Sequence, residues 1–218
     1  MMYGVSVVTT TYNERENIPI FVRRIRESLR NLPHEIVIVD DDSPDGTYDV
    51  AREIADKAYR VHGFGQTRGL LYGIERASYP IVVTLDADLE NPPELIPKLL
   101  EEFKRGEYDI LVASRTSLPR VSERITSKTL GRLLGISDVY SNFRIYRRDR
   151  MLGVKLKLGE TFGGELIVTA KKSGFKIGEY LYKPPPRRSQ PRIGGTLKAN
   201  LRIIWATIKL LTYYFTSD

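Results

Sequence analysis

Asp86 and Asp88 stand two residues apart, behind the apolar run Ile81-Val82-Val83-Thr84-Leu85 and ahead of Leu89-Glu90-Asn91-Pro92-Pro93-Glu94. A short β-branched run of this kind reads as a strand buried on both faces, and Asn91-Pro92-Pro93-Glu94 reads as the opening of a helix. The acids therefore fall at the carboxyl end of a strand. Side chains two apart in extended backbone share a face, so a turn after Asp88 lets both carboxylates reach one ion. Magnesium or manganese suits such a pair, because these cations take oxygen ligands, use one or two protein carboxylates and complete the shell with water and substrate phosphates. A strand that ends in a solvated acidic turn explains the same letters. Position adds weight to the metal reading, since open α/β sheets bind ligands beyond the carboxyl ends of their strands.

Two further polar clusters follow apolar runs. Thr10-Thr11-Tyr12-Asn13-Glu14 ends the run that starts at Gly4, and Asp40-Asp41-Asp42-Ser43-Pro44-Asp45-Gly46-Thr47 follows Ile36-Val37-Ile38-Val39. All three clusters are expected at one edge of the sheet. So many carboxylates repel one another unless a cation sits among them. A divalent metal bridging a diphosphate meets that need and leaves Asp40 or Asp41 to bond a base or ribose. An Asx-capped turn accounts for Asp42, Asp45 and Gly46 equally well.

The elements that must position these groups alternate. Strands are expected over residues 4–10, 34–39, 59–62, 80–85 and 108–113, with helices over 18–30, 48–58, 68–77 and 93–105. Gly69 and Gly73 share one face of the third helix and allow close packing. This alternation implies a mostly parallel sheet with right-handed crossovers. After Arg115 the pattern loosens: residues 116–140 are polar, basic and helical in part. Strands follow at 142–147 and 176–182, with a helix between them at 164–173. Pro184-Pro185-Pro186-Arg187-Arg188-Ser189-Gln190-Pro191-Arg192-Ile193-Gly194-Gly195 reads as a loop or lid.

The 218 residues contain no cysteine and two histidines, which excludes disulfides, thiolate chemistry and a Cys- or His-based metal site. No signal peptide is expected ahead of Tyr3. The net charge of +7 is uneven: residues 180–218 carry +6, and residues 1–179 only +1. A basic tail serves nucleic acid, an anionic substrate or an anionic membrane, and charge alone does not choose among them.

In order and spacing, Thr11-Tyr12-Asn13-Glu14, Asp40 to Thr47 and Asp86-Ala87-Asp88-Leu89-Glu90-Asn91-Pro92-Pro93-Glu94 resemble the nucleotide-binding segments of family-2 glycosyltransferases with the GT-A fold. The likeness is nearest to dolichol-phosphate mannose synthases and related polyprenyl-phosphate glycosyltransferases. Ser141-Asn142-Phe143-Arg144 is similar to that family's Ser-Gly-Phe-Arg stretch. Departures are Thr10 where the family usually has Pro, Asp42 for Asn or Gly, Glu90 for Gln, and Gly65-Gln66-Thr67-Arg68-Gly69 for a Gly-Lys-Gly segment.

The resemblance implies an α/β domain of GT-A type over residues 1–195, a mostly parallel central sheet flanked by helices. It implies inverting, Mg2+- or Mn2+-dependent transfer of a hexose, mannose first, from GDP-mannose or UDP-glucose to a polyprenyl or dolichyl phosphate. The enzyme would work peripherally at the cytoplasmic face of a membrane, without nucleic acid. Tyr12, Glu14 and Asp41 would hold the nucleoside, with Thr10, Val39 and Ala87 lining the same site. Asp86 would meet the ribose or sugar, Asp88 and Glu90 the metal, and Arg115 the donor or acceptor phosphate. Arg192, with Gly195 and Lys198, approximates a loop that closes over the site. Asp88, Arg115 and Arg192 carry the catalytic roles. No general base is required, because a phosphate monoester is already an anionic nucleophile at neutral pH. Two rivals stay open: transfer to a sugar or protein hydroxyl, for which Glu165 is the candidate base, and a catalytically silent binding module.

Residues 196–218 are expected to form an amphipathic, membrane-interfacial helix. Lys198, Arg202 and Lys209 interrupt it and fall on one stripe at about 100° per residue, beside Trp205, Tyr213 and Tyr214. An ordinary helix packed on the domain is the alternative.

Overall fold

The computed structural model describes residues 4–185 and 196–216, so Arg192 and Gly195, and most of the expected loop, lie outside the described residues. From the amino terminus the chain runs β1 (Val5–Thr11), α1 (Ile18–Ser28), β2 (His34–Asp40), α2 (Thr47–Ile54), β3 (Lys57–Arg60), α3 (Gly65–Arg76) and β4 (Ile81–Thr84). A 3-10 turn (Pro93–Leu95) leads into α4 (Ile96–Arg105), followed by β5 (Ile110–Arg115). Then come α5 (Val121–Thr126), a π-helical turn (Ser127–Gly131), α6 (Arg132–Leu134), β6 (Arg144–Arg147), α7 (Arg148–Met151), α8 (Gly164–Lys172), β7 (Ile177–Tyr182) and α9 (Thr196–Thr216).

The seven strands lie in the order β3-β2-β1-β4-β6-β5-β7. Neighbours are parallel except β6, which runs antiparallel to both β4 and β5. Each face of the sheet buries its own apolar layer. On one face Val7, Ile36, Val83 and Ile145 meet Phe21 and Ile25 of α1 and Leu99 and Phe103 of α4. On the other, Val8, Val37, Val82 and Val112 meet Leu70 and Ile74 of α3, Leu166 and Ile167 of α8, and Leu210 and Tyr213 of α9. The last helix thus contributes to the core of the domain it follows.

Close approach of α3 depends on the two glycines singled out in the sequence. A methyl on Gly69 would lie 2.7 Å from Thr10 Cγ2, and one on Gly73 would lie 2.4 Å from Val8 Cγ1. Several boundaries differ from expectation by a few residues, two of them for a tertiary reason. Ile54 ends α2 early because Lys57–Arg60 is drawn into pairing with Val37–Asp40. Helix α3 starts at Gly65 rather than Arg68, for a reason that lies in the site.

Candidate active site

β2 and β3 lie to one side of β1 and β4 to the other, so the carboxyl ends of β1 and β4 flank a switch point, where such sheets open a crevice. One wall is made by two laced loops. Asn13 N donates to Ser43 Oγ at 3.0 Å and Glu14 N to Thr47 Oγ1 at 2.9 Å. Asp40 holds this wall from inside. Fully buried, it accepts from Thr11 Oγ1 at 2.9 Å, Ser43 Oγ at 2.5 Å and Ser43 N at 2.9 Å. Of the two aspartates expected to meet a base or ribose, Asp40 is therefore spent on the loop.

Asp41 takes the N–H groups of Phe64 and Gly65, both at 2.9 Å. These belong to the start of α3, and a carboxylate capping them stabilises the helix end. The helix consequently begins three residues earlier than its sequence suggests. A carboxylate has about four acceptor positions, so this cap leaves Asp41 further capacity. Tyr12 is 57 % exposed, and buried Glu14 accepts from Asn17 Nδ2 at 2.7 Å. Val39 is buried against Gly69 and Gly73, and the Thr10 methyl meets Gly69. These two side chains bring α3 close to the sheet.

The floor carries the acids. β4 stops at Thr84, so Asp86 and Asp88 lie in the turn beyond it rather than in extended backbone. Asp86 Oδ1 accepts from Gln66 Nε2 at 2.7 Å. Burial, and after it the charge of Asp88, pushes the Asp86 carboxyl well above the usual carboxylate range, against the pull of Arg115 and Arg144. Leu89 adopts φ 63°, and Asp88 Oδ1 takes Glu90 N at 3.0 Å, so the turn is closed by its own acid. Ala87 is buried in the core. Asp88 and Glu90, two residues apart in this turn, offer carboxylate oxygens of the kind a hard divalent cation takes. Among the described residues no group of three or more His, Asp or Glu side chains is placed to hold a metal ion. Further ligands would come from water and phosphate oxygens.

The opposite wall is Arg115, at the end of β5. Its Nε donates to Asp138 Oδ2 at 2.6 Å and its Nη2 to Asp138 Oδ1 at 3.1 Å. Glu123 Oε1 lies 3.7 Å from Arg115 Nη2 and 3.0 Å from Arg120 Nη1. Burial works against the charge on Arg115, and Asp138 with Glu123 more than reverses that effect. Arg144 is fully buried and donates to Gly163 O and Val139 O, both at 2.8 Å.

Glu165, the candidate base of the hydroxyl-acceptor reading, is completely buried, and its two oxygens accept the backbone N–H groups of Lys157 and Leu158, pinning that loop. Lys198 is exposed on the first turn of α9, which packs on α5 and α8.

Helix α9 buries Ala199, Ile203, Ala206, Leu210 and Tyr213. It is tied to its neighbours by hydroxyls: Thr126 Oγ1 and Thr207 Oγ1 lie 2.7 Å apart, and Tyr140 Oη is 2.8 Å from Thr207 Oγ1. Yet Leu197, Leu201, Trp205 and Ile208 stay 48–76 % exposed, and on α5 so do Val121 (57 %) and Ile125 (48 %). No helix of the described residues is long and apolar enough to cross a membrane.

Asp138, Glu123 and Gln66 were not singled out in the sequence. Each is a lone polar residue without motif spacing, and only the fold brings it to Arg115 or Asp86.

A seven-stranded sheet with one reversed strand, flanked by helices and carrying acidic turns at its carboxyl edge, defines an α/β fold of GT-A type. Residues 6–164 match the family described as Glycosyl transferase family 2, and the chain belongs to it. It is 33 % identical over 225 residues to a dolichol-phosphate mannosyltransferase of Pyrococcus furiosus, covering 94 % of this chain and 64 % of that one. It is 33 % identical over 170 residues to an undecaprenyl-phosphate 4-deoxy-4-formamido-L-arabinose transferase of Pseudomonas savastanoi, covering 69 % of this chain and 50 % of that one. The chain thus spans between half and two thirds of the length of these relatives. Among solved structures, glucosyl-3-phosphoglycerate synthase of Mycobacterium tuberculosis in complex with Mn2+, UDP and phosphoglyceric acid superimposes with a TM-score of 0.78. At 19 % identity, covering 99 % of this chain and 80 % of that one, this likeness supports the fold.

Proposed function

We propose that this chain transfers a hexose, mannose in the first instance, from a nucleotide sugar to a polyprenyl phosphate at a membrane surface. One observation carries the lipid acceptor. Helix α5 turns Val121 and Ile125 to the outside, while Glu123 on its inner side lies 3.7 Å from Arg115. An arginine suited to a phosphate and a surface suited to lipid are thus two sides of one helix. Relatives named for dolichol-phosphate and undecaprenyl-phosphate chemistry support the same reading.

In this reading the Tyr12 ring stacks on the base and Asp41 bonds the nucleoside, while the Asp86 carboxylate, held by Gln66, faces the sugar. Asp88 and Glu90 hold Mg2+ or Mn2+, which when bound supplies Lewis-acid neutralisation of the nucleoside diphosphate. Mn2+ in the structural neighbour supports the choice of ion. Arg115 draws the acceptor phosphate into line with the anomeric carbon. A phosphate oxygen forms the new bond to that carbon, and the old carbon–oxygen bond breaks with its electron pair leaving on the diphosphate. One displacement inverts the centre, and no proton need be removed from the nucleophile. Arg192 is assigned to loop closure and Lys198 to the donor side by resemblance alone.

The exposed apolar residues of α5 and α9, among Lys198, Arg202, Arg124 and Lys128 and with no exposed acid on either helix, fit the headgroup region of an anionic bilayer. The chain would act as a peripheral protein, and its lack of cysteine suits the reducing cytoplasmic face.

The test is incubation with radiolabelled GDP-mannose and UDP-glucose, with and without dolichyl or undecaprenyl phosphate and manganese. Label is expected in the lipid phase only with lipid phosphate and metal together. Transfer to water or to a sugar hydroxyl, with none to lipid phosphate, would overturn the reading.

A further inference from the structure

We propose that Asp138 is a positioning residue for Arg115: it grips one edge of the guanidinium so that the other edge is presented to the acceptor phosphate. This rests on the proposal that Arg115 meets that phosphate.

The geometry is asymmetric. Asp138 is 1 % exposed, and both its oxygens are directed at Arg115: Oδ2 takes Nε at 2.6 Å and the Arg115 backbone N at 3.4 Å, and Oδ1 takes Nη2 at 3.1 Å. A guanidinium has five N–H donors in a planar fork. Bidentate pairing along the Nε–Nη2 edge fixes the plane of the fork and directs Nη1 away from Asp138. Glu123 stands 3.7 Å from the outer side of Nη2. Arg115 remains 17 % exposed on its side chain, against 2 % for Asp138 and 5 % for Glu123, so the cation borders the crevice and the two carboxylates lie behind it.

The chain supplies this carboxylate from a segment with its own anchors. Ser141 N bonds Asp138 O at 3.2 Å, Ser141 Oγ bonds Ala113 O at 2.6 Å, and Arg144 holds Val139 O at 2.8 Å. Asp138 is therefore fixed by the segment that follows it before it grips Arg115. A long side chain that would otherwise sample many rotamers is held in one, and the entropy of ordering it is met in folding rather than in binding.

A purely structural ion pair predicts something different. Removing one partner of a buried pair then costs stability and affects donor and acceptor alike. A positioning role predicts loss confined to the acceptor and carried entirely through Arg115.

The experiment is a double-mutant cycle on the whole chain with Arg115→Ala, Asp138→Asn and the pair. Acceptor kcat/KM is measured with undecaprenyl phosphate, and donor affinity by calorimetry with GDP and manganese. Asp138→Asn is expected to lower acceptor kcat/KM by roughly 10- to 100-fold, as small misplacements at a reacting group do, while changing donor affinity less than about twofold. In the Arg115→Ala background, Asp138→Asn should cost nothing further. If the two losses multiply, or donor affinity falls in step, Asp138 is structural and the proposal is wrong. Acceptor kcat/KM within about twofold of wild type for a folded Asp138→Asn also overturns it. If Asp138→Asn does not fold, Asp138→Glu, which keeps the charge and displaces it by one methylene, is read by the same cycle. An Arg115→Ala protein that transfers normally would instead refute the role given to Arg115 itself, a distinct outcome.

Discussion

The two walls of the crevice are built on opposite plans. The wall from β1 to β3 is a run of parallel βαβ units in which three of the acids in its turns are held by neutral donors: Asp40 by Thr11 and Ser43, Asp41 by the backbone of Phe64 and Gly65, Asp45 by Thr47. The wall from β5 to β7 contains the reversed strand β6, a π-helical turn and cations paired with buried carboxylates. Neutral donors leave an aspartate its charge and spare lone pairs, which suits binding a nucleoside. Ion pairs set an arginine at a fixed place and orientation, which suits a phosphate that must be aimed. The difference predicts that lesions in the first wall weaken donor binding and lesions in the second weaken acceptor use.

Three variants test that separation. The largest effect should come from the floor, which serves both walls: Asp88→Ala is expected to lower kcat roughly 1,000-fold or more, because it removes a proposed ligand of the ion assigned to the diphosphate. Near-wild-type turnover in radiolabel transfer at saturating manganese would remove Asp88 from the metal site. Next, Val121→Ser with Ile125→Ser should weaken co-sedimentation with phosphatidylglycerol vesicles by roughly 30-fold, given about 1 kcal/mol lost per side chain. Donor affinity should not move, and since both residues are exposed the fold is not threatened. Unchanged vesicle binding would detach α5 from the membrane. Smallest is Asp41→Ala, for which the donor KM should rise about tenfold with a lesser change in kcat. A defect confined to kcat would contradict a nucleoside contact and erase the contrast between the walls.

The first wall was legible in the sequence down to its turns, whereas in the second the strands and Arg115 were legible but the strand direction and the partners of Arg115 were not. Apolar runs ending in acidic turns announce parallel strands, and Asp41, Asp86 and Asp88 were singled out through them. The start of α3 was misplaced because its cap, Asp41, is supplied across 24 residues from Gly65. The end of α2 was misplaced because strand pairing overrides local helical preference. In the second wall, direction and pairing are set by tertiary contacts: nothing in Arg144-Ile145-Tyr146-Arg147 says that the strand runs backwards. Asp138 lies 23 residues from the arginine it holds, in a stretch with no periodicity. Arg120 and Arg124 look alike as letters, yet one is paired with buried Glu123 and the other is exposed.

Helix α5 also has a consequence for depth. An α-helix with its side chains is about 10–12 Å across, and an interfacial helix sinks its apolar side about 5–10 Å into the boundary of headgroups and acyl chains. On the proposed placement, with Val121 and Ile125 toward the membrane and Glu123 against Arg115 on the other side, the thickness of one helix would fix the height of the guanidinium above the oil. That height would match the layer in which lipid phosphates reside. The acceptor would then not need to be lifted from the bilayer: its tail would stay in hydrocarbon while its phosphate met the arginine, and α5 would act as a depth gauge.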